Sequence, residues 1–374
     1  MTTEEAGYNP PETPVSKRHR VPLHRIGAAF AWFAAVGAVL GGLTGYWSTY
    51  RAVPTELLAP APPKPAGSQA AQPPSNIYRV GLLNAGELPT SDSPFGAAFV
   101  QSMQQRGYVL GQNLAIEGRG AGAQLARLPE LAQELAARVD VIVVWGYPAV
   151  VAAKATGIPV VVAAGGGDPI ETDLIVSLAH PGGNVTGISD DATELSTKRL
   201  GLLKELNPAL RRVAMIWNAN DRGMSLRYRS AAQAAAAMGI IVQPFGVREP
   251  NDLDDAFKAM TKDEPQAILM IADALVTLNR HRVIDFAAVH RLPAIYEYGF
   301  YVRDGGLMSY GVDLTEAYNR AAMLVDRILQ GAKPADLPFE EPTRYPFLIN
   351  LRTAKALGLD IPPQLLARAD EVIE

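Results

Sequence analysis

The chain has 374 residues, no cysteine, five histidines and a formal net charge of −4. The absence of cysteine excludes disulfides, thiol nucleophiles, thiolate-bound zinc, iron–sulfur clusters and a lipid-modified cysteine anchor. The histidines show no H-x-x-x-H spacing and there is no basic stripe, which argues against a metal site and against nucleic-acid binding.

An apolar segment without charge, Ile26–Trp47, dominates the N-terminal region. At about 1.5 Å per residue it reaches roughly 33 Å as a helix, enough to cross the hydrocarbon core of a bilayer. Basic residues cluster between Lys17 and Arg25, so the positive-inside rule places residues 1–25 in the cytoplasm. A cleaved secretory signal and a buried core helix are the alternatives. We predict a single-pass anchor in the plasma (inner) membrane with a periplasmic or extracellular domain.

Residues 48–76 form a proline- and alanine-rich segment, with seven prolines between Ala52 and Asn76. This composition cannot bury a core and predicts an extended, semi-rigid spacer with a reach of up to about 75 Å. The roughly 300 residues that follow exceed the usual size of one hydrophobic core, so two lobes are expected.

From residue 77 onward, short β-branched segments alternate with Ala- and Leu-rich helical segments. Continuous apolar segments such as VIVVWG are typical of parallel strands covered on both faces. The predicted strands are Tyr78–Asn84, Leu114–Glu117, Val139–Trp145, Pro159–Ala164, Arg212–Asn218, Ile241–Phe245, Ala267–Ala272, Ala294–Tyr296 and Leu307–Tyr310. The predicted helices are Gly96–Arg106, Leu125–Arg138, Tyr147–Ala155, Thr193–Leu206, Leu226–Met238, Leu253–Thr261, Asn279–His290 and Leu314–Gln330. The alternation predicts an α/β fold with doubly wound parallel sheets.

The loops that follow the predicted strands are the expected site of ligand binding, because open parallel sheets bind ligands beyond the carboxyl ends of their strands. These loops contain Asn84, Gly146, Tyr147, Pro148, Asp168, Asn218, Asp273, Glu297, Ser309 and Tyr310. Structural alternatives remain, since Asn218 and Asp273 could be helix caps and Glu297 a solvated carboxylate. There is no nucleophile–base set, G-x-S-x-G or H-E-x-x-H motif, so the loops indicate recognition rather than catalysis.

Two segments, HPGGNVTG at 180–187 and GGLMSYG at 305–311, carry a family resemblance that extends over most of the chain from Tyr78. They resemble ABC-transporter substrate-binding proteins related to tryptophan- and tyrosine-binding proteins. The resemblance implies a two-lobed periplasmic-binding-protein type I fold with three crossovers and hinge closure. It places the first lobe at residues 77–186, completed by part of 313–374, and the second lobe at residues 187–312.

By position, the resemblance maps the binding cleft of the family onto the loop residues named above. It implies that the N–H groups after Gly146 receive a carboxylate, that Asp273 receives an amine and that Tyr147 stacks on or covers the ligand.

The expected function is that of a membrane-tethered solute-binding protein of an ABC importer. Its ligand would be a small molecule such as an amino acid or another carboxylate, passed to permease subunits in the membrane. The expected partners are this ligand, the permease and the lipid bilayer at Ile26–Trp47; no cofactor, metal or nucleic acid is expected. A ligand-sensing ectodomain that regulates a membrane partner without transport is the alternative, and an enzyme on the same scaffold is disfavoured.

Overall fold

The computed structural model of the chain describes residues 77–88, 90, 93–190 and 192–374. Within these ranges no helix is both long and apolar enough to cross a bilayer. The predicted anchor Ile26–Trp47 and the spacer at 48–76 lie outside the described residues.

The described residues form two parallel-sheet layers with helices on both faces. The strands are β1 (Tyr78–Asn84), β2 (Leu114–Gly120), β3 (Val141–Trp145), β4 (Val160–Ala164), β5 (Val185–Gly187), β6 (Arg212–Asn218), β7 (Ile241–Val247), β8 (Ala267–Met270), β9 (Ala294–Tyr296), β10 (Met308–Tyr310), β11 (Phe347–Asn350) and β12 (Glu371–Ile373). The α-helices are α1 (Pro94–Gln105), α2 (Leu128–Ala136), α3 (Tyr147–Lys154), α4 (Ala192–Leu206), α5 (Arg222–Ala237), α6 (Asp252–Asp263), α7 (Ala274–Leu278), α8 (Arg280–Val289), α9 (Gly299–Arg303), α10 (Leu314–Leu329), α11 (Leu351–Leu357) and α12 (Pro363–Leu366). Single 3₁₀ turns occur at Leu125–Arg127 and Pro334–Asp336.

The first lobe is built on the parallel sheet β2-β1-β3-β4-β5. Strands β3 and β4 read VIVVW and VVVAA and are buried almost throughout, because helices cover both faces of the sheet. Asn84 at the end of β1 lies opposite Trp145 at the end of β3. The register therefore brings the loops after β1 and β3 to one edge.

The second lobe is built on the sheet β12-β11-β10-β9-β8-β6-β7. Its strands are parallel except where β11 pairs antiparallel with β10, with Ser309 opposite Leu348. Met215 and Leu269 pack into the core on one side of the sheet, and Ile216 and Ile268 pack into the core on the other. This alternation follows from the two-residue period of a strand that is covered on both faces.

The chain crosses between the lobes after β5, between β10 and α10, and before β11. Helix α10 packs on α1, β3 and β4 of the first lobe, so the late segment Leu314–Leu329 completes that lobe. Residues Phe347–Asn350 and Glu371–Ile373 instead join the second sheet. The first and third crossings run side by side, since the N–H of Ser189 donates to the carbonyl of Glu340 at 2.8 Å.

The observed helices differ from the prediction mainly around residue 279. The structure has the short helix α7 before α8, and the Asp273 carboxylate caps α7 by accepting backbone N–H groups. Strands β5, β11 and β12 and helices α9, α11 and α12 were not predicted, because each is only three to seven residues long. Segments this short carry little periodic signal.

Candidate functional site

A cleft of about 180 Å³ lies where loops at the carboxyl ends of the two sheets approach each other. The first lobe contributes the loops after β1, β3 and β4, and the second contributes the loops after β8 and β9 and the start of α5. Among the residues that line the cleft are Asn84, Glu87, Phe95, Trp145, Gly146, Gly165, Asp221, Asp273, Thr277, Arg280, Tyr298 and Tyr318. Both lobes thus form the walls, as expected for a site that encloses its ligand.

Aromatic side chains form an apolar wall of this cleft. Trp145 packs edge-to-face against Phe95 and against Tyr298, with ring centroids 6.2 Å apart in each pair. Phe95 also stacks on Tyr318 of α10 at 5.9 Å. Gly165 leaves room for the indole, because a Cβ atom at this position would lie 2.8 Å from Cδ1 of Trp145. Such a wall suits a flat or aliphatic ligand body.

Asp221 and Asp273 bring two carboxyl groups to the cleft from the second lobe. Asp221 caps α5, where its Oδ1 accepts the N–H of Met224 at 3.2 Å. Asp273 caps α7, where its Oδ1 accepts the N–H of Val276 at 2.9 Å. Its Oδ2 also accepts the side-chain amide of Asn218 at 2.5 Å. These hydrogen bonds fix the position of both carboxyl groups before any ligand enters.

The pKa of each of these carboxyl groups is raised. Burial, followed by the charge of Asp273, raises the pKa of Asp221 to about 7. Burial raises the pKa of Asp273 to about 6, although hydrogen bonds from Val276 and Asn218 favour its charged form. Neighbouring carboxyl groups in a poorly solvated site titrate together, and a cation bound between them favours ionisation of both.

The charge of the cleft lining favours a cationic ligand group. Glu87, Asp221 and Asp273 supply carboxyl groups, and Arg280 is the basic residue of the described lining. The Arg280 guanidinium is already engaged, since its Nε donates to Oδ2 of Asp304 at 2.6 Å and its Nη1 to the carbonyl of Thr277 at 3.2 Å. A cation such as an ammonium group in this partly desolvated cleft favours the ionised form of the carboxyl groups and is attracted to it. Within the described ranges no cluster of three His, Asp or Glu residues could hold a metal ion.

Comparison with known proteins establishes the family. The model of the ABC transporter substrate binding protein family matches residues 95–373. This chain belongs to that family. Among curated relatives, the tyrosine-binding protein of Clostridioides difficile (strain R20291) is 25% identical over 283 residues, which are 75% of this chain and 81% of the relative.

Solved structures share the fold of this family member. A conserved domain protein from Vibrio cholerae has a TM-score of 0.73 at 25% identity, covering 79% of this chain and 100% of that chain. The ABC domain from Streptococcus pneumonia in complex with L-Trp also has a TM-score of 0.73, at 24% identity. The match covers 80% of this chain and 100% of the Streptococcus chain. The predicted α/β periplasmic-binding-protein fold is therefore confirmed for the described residues.

Asn84, Gly146 and Asp273 are the predicted site residues that line the cleft. Oδ1 of Asn84 accepts the N–H of Gly86 at 2.8 Å, which shapes the turn after β1. Gly146 adopts a φ of 93° at the start of α3, and its N–H donates to the carbonyl of Ala164 at 3.1 Å. These two residues therefore define the backbone of the first-lobe wall.

Tyr147, Pro148, Asp168 and Asn218 lie outside the cleft lining. Tyr147 is buried at the start of α3, and Pro148 follows it in the same turn. Oδ1 of Asp168 accepts backbone N–H groups two and three residues further along the chain, so this carboxylate stabilises its own turn. Asn218 lies behind Asp273, which its side-chain amide contacts.

Glu297, Ser309 and Tyr310 also lie away from the cleft lining. Glu297 is buried between Arg199 and Arg227, with nitrogen–oxygen distances of 3.0 and 2.9 Å. The Tyr310 carbonyl accepts Nε of Arg199 at 2.6 Å. Oγ of Ser309 is buried without a hydrogen-bond partner among the described residues. These residues belong to the interior of the second lobe.

Five further lining residues were not predicted from the sequence as site residues: Phe95, Trp145, Asp221, Arg280 and Tyr298. Trp145 directly precedes the predicted Gly146 loop, and Asp221 follows the predicted Asn218 loop by three positions. An aromatic residue at the end of an otherwise aliphatic strand was an available signal for Trp145. Nothing in the sequence indicates that Phe95 or Arg280 reaches this cleft, since both come from helices.

Proposed function

We propose that this chain is a membrane-tethered, extracytoplasmic solute-binding protein of an ABC importer. Its ligand is a small molecule with a protonated amine and an aromatic or other apolar body. The observation that carries the proposal is the juxtaposition of Asp221 and Asp273 with the aromatic wall around Trp145 in one cleft between two lobes. A desolvated ammonium group paired with a carboxylate is strongly favoured, and an aromatic wall supplies apolar contact area.

An aromatic amino acid is the ligand that best fits this description. The tyrosine-binding relative and the L-Trp complex of a structural neighbour support this class. For the ligand carboxylate we propose the start of α3, where the N–H groups of Ala149 and Val150 already donate to the carbonyl of Gly146. Pro148 has no N–H, so the Tyr147 N–H is the donor left for the carboxylate at this helix start.

Isothermal titration calorimetry on the purified full-length chain tests this proposal. The titrants are L-tryptophan, L-tyrosine, tryptamine (which lacks the carboxylate) and indole-3-propionate (which lacks the amine). We expect the amine-bearing compounds to bind and indole-3-propionate to bind at least about tenfold more weakly, since a charged hydrogen bond is lost. Equal affinity of the compounds with and without the amine contradicts the assignment, and so does the absence of binding by all four.

A matched pair of variants tests the role of the carboxyl group. Asp273→Asn removes the charge and can keep the oxygen that accepts the N–H of Val276, although its NH2 group replaces the oxygen that accepts the Asn218 amide. Amine-bearing compounds should bind about tenfold or more weakly. Asp285→Asn makes the same change on an exposed position of α8 and should leave affinity unchanged.

The membrane tether is the Ile26–Trp47 segment, and its length and flanking charges support it. Full-length chain expressed in a bacterium should sediment with membranes and resist extraction with alkaline carbonate, whereas a chain lacking residues 26–47 should not. Intact mass of the recovered protein decides between anchor and cleaved signal. A mass that matches a mature chain beginning after Trp47 would show cleavage. That result would remove the tether and leave the binding assignment intact.

Uptake measurements distinguish transport from ligand sensing. Transport predicts that deletion of the gene lowers uptake of the radiolabelled ligand and that the full-length chain restores it. Unchanged uptake together with a loss of ligand-dependent gene expression would support the sensing alternative instead.

A further inference from the structure

Tyr147 and Gly223 make a direct contact between the two lobes beside the cleft. Tyr147 is the first residue of α3 in the first lobe, and Gly223 lies in the first turn of α5 in the second. A Cβ atom placed on Gly223 would lie 3.1 Å from both Cβ and Cγ of Tyr147. The approach is therefore so close that only glycine leaves the tyrosine undisturbed.

Other residues also lie at this edge. Gly167, with a φ of 70°, is next to Gly223, since a Cβ at Gly167 would be in ordinary van der Waals contact with the Gly223 Cα at 3.8 Å. Arg222 and Asp173 form an ion pair at 3.6 Å across the edge, but both side chains are more than half exposed. An exposed ion pair contributes little. Arg222 also interacts with the Tyr147 hydroxyl, so the tyrosine contacts the second lobe through its ring carbons at Gly223 and through its hydroxyl.

The contact is adjacent in sequence to two residues of the cleft lining. Gly146 precedes Tyr147, and Asp221 lies two residues before Gly223. The same added Cβ on Gly223 would lie 3.3 Å from Oδ1 of Asp221. Any displacement of the two helix starts relative to each other therefore displaces the opposite walls of the cleft.

We propose that Tyr147 and Gly223 form a closure contact, which holds the lobes together and places Asp221 opposite the Gly146 loop. Tyr147 is then a positioning residue that acts across the lobe boundary rather than a residue that stacks on the ligand. The effect on affinity rests on the proposed function, whereas the effect on lobe separation does not depend on the identity of the ligand.

Distances between spin labels in the two lobes test the closure contact. The chain has no cysteine, so Gln101→Cys on α1 and Val289→Cys at the end of α8, both at exposed positions, place one label in each lobe. Pulsed electron–electron double resonance measures the distance between the two labels on the full-length chain. The spectra are recorded without additive, with L-tryptophan and with L-tyrosine. The shorter distance corresponds to the closed lobes and the longer distance to the open lobes.

Gly223→Ala is the principal variant and Gly201→Ala its control. Gly201 also lies in a helix, but a Cβ there meets no atom closer than 4.0 Å. We expect the ratio of closed to open molecules to fall about fivefold or more in Gly223→Ala, because an overpacked methyl group shifts an equilibrium by at least this factor. The control should match the wild-type chain. Tyr147→Ala should also open the lobes. Tyr147→Phe, which keeps the ring carbons at Gly223 but loses the hydroxyl beside Arg222, should open them less.

The outcomes separate this inference from the proposed function. Equal distance distributions for Gly223→Ala and Gly201→Ala would overturn the closure contact, as would a wild-type chain that shows only the longer distance under all three conditions. Binding of neither amino acid would count against the proposed function alone, since the additive-free distances still decide on the contact. If Gly223→Ala fails to fold by circular dichroism, the comparison of Tyr147→Ala with Tyr147→Phe decides instead.

Discussion

Nη1 of Arg227 lies 2.9 Å from Oε2 of Glu297, and both side chains are only 2% exposed. Arg199 approaches the same carboxylate at 3.0 Å, and Asp190 lies 2.6 Å from Nη2 of Arg227. Asp190 belongs to the first crossover between the lobes. Two buried cations and two buried anions thus compensate each other where the chain enters the second lobe, and each depends on the others to offset the cost of desolvation.

Glu297→Gln should destabilise the second lobe strongly. The variant leaves Arg199 and Arg227 with one carboxylate between them, and removal of one partner from a buried pair costs about 3–5 kcal/mol. Urea unfolding followed by circular dichroism measures the effect. Asp255→Asn, which breaks the exposed pair with Lys258, is the control and should change stability little. A Glu297→Gln chain of wild-type stability but reduced ligand affinity would instead place Glu297 among the ligand-binding residues.

The contribution of Asp221 and Asp273 to the stability of the ligand-free chain should fall as pH rises from about 4 to 7. The pKa of Asp221 is raised from 3.8 to about 7 and that of Asp273 to about 6. A carboxyl group with a raised folded-state pKa stabilises the fold fully below its unfolded value, and this contribution is lost as pH rises through the folded value. Asp221→Asn keeps the cap but cannot ionise, so its melting temperature should exceed that of the wild type at pH 8 by more than at pH 4.

The control for this pH series is Asp285→Asn, which removes an exposed carboxylate and should follow the wild-type curve. A pH profile of Asp221→Asn that runs parallel to the wild type would show that Asp221 does not titrate in this range.

Gly165→Ala should weaken ligand binding by displacing Trp145. The added Cβ would lie 2.8 Å from Cδ1 of the indole, and overpacking of this kind costs about 1–3 kcal/mol. Gly239→Ala is the matched control, because Gly239 has a φ of 69°, close to the 72° of Gly165, but its Cβ would meet no atom within 4 Å. The affinity for L-tryptophan, measured by calorimetry, and the free energy of unfolding should both decrease more in Gly165→Ala than in Gly239→Ala. Equal losses in the two variants would mean that Trp145 is not displaced.

Ser309→Ala should leave affinity unchanged and raise stability slightly. Oγ of Ser309 is buried without a hydrogen-bond partner among the described residues, and burial of an unsatisfied hydroxyl costs about 1–3 kcal/mol. Thermal unfolding and titration with L-tryptophan measure the two quantities. A marked loss of affinity would place this hydroxyl in the ligand site after all.

The first sheet could be predicted from sequence because local patterning determines it. Segments such as Val141–Trp145 and Val160–Ala164 are apolar at every position and flanked by helical periodicity, which leaves few alternatives to a buried parallel strand. Strand β12 at Glu371–Ile373 has no comparable signal, since its three residues depend on pairing with β11 and on the ion pair between Arg303 and Glu371.

The candidate site was less predictable, because two loop acids with similar sequence contexts have different surroundings. Glu297 and Asp273 each follow a strand of the second sheet, yet Asp273 opens onto the cleft while Glu297 points to arginines 98 and 70 residues away in sequence. The local sequence predicts that a carboxylate follows the strand. It does not predict which distant cation lies beside that carboxylate, and this distant contact decides whether the group can bind a ligand.

The late position of α10 and β12 in the chain has a consequence for synthesis. The first sheet is translated early, but one of its faces is covered only in part, by α1, until Leu314–Leu329 has left the ribosome. In the second sheet, β11 has no partner on its outer side until Glu371–Ile373 arrives. Each lobe is therefore completed only by residues that are made long after its own first strands.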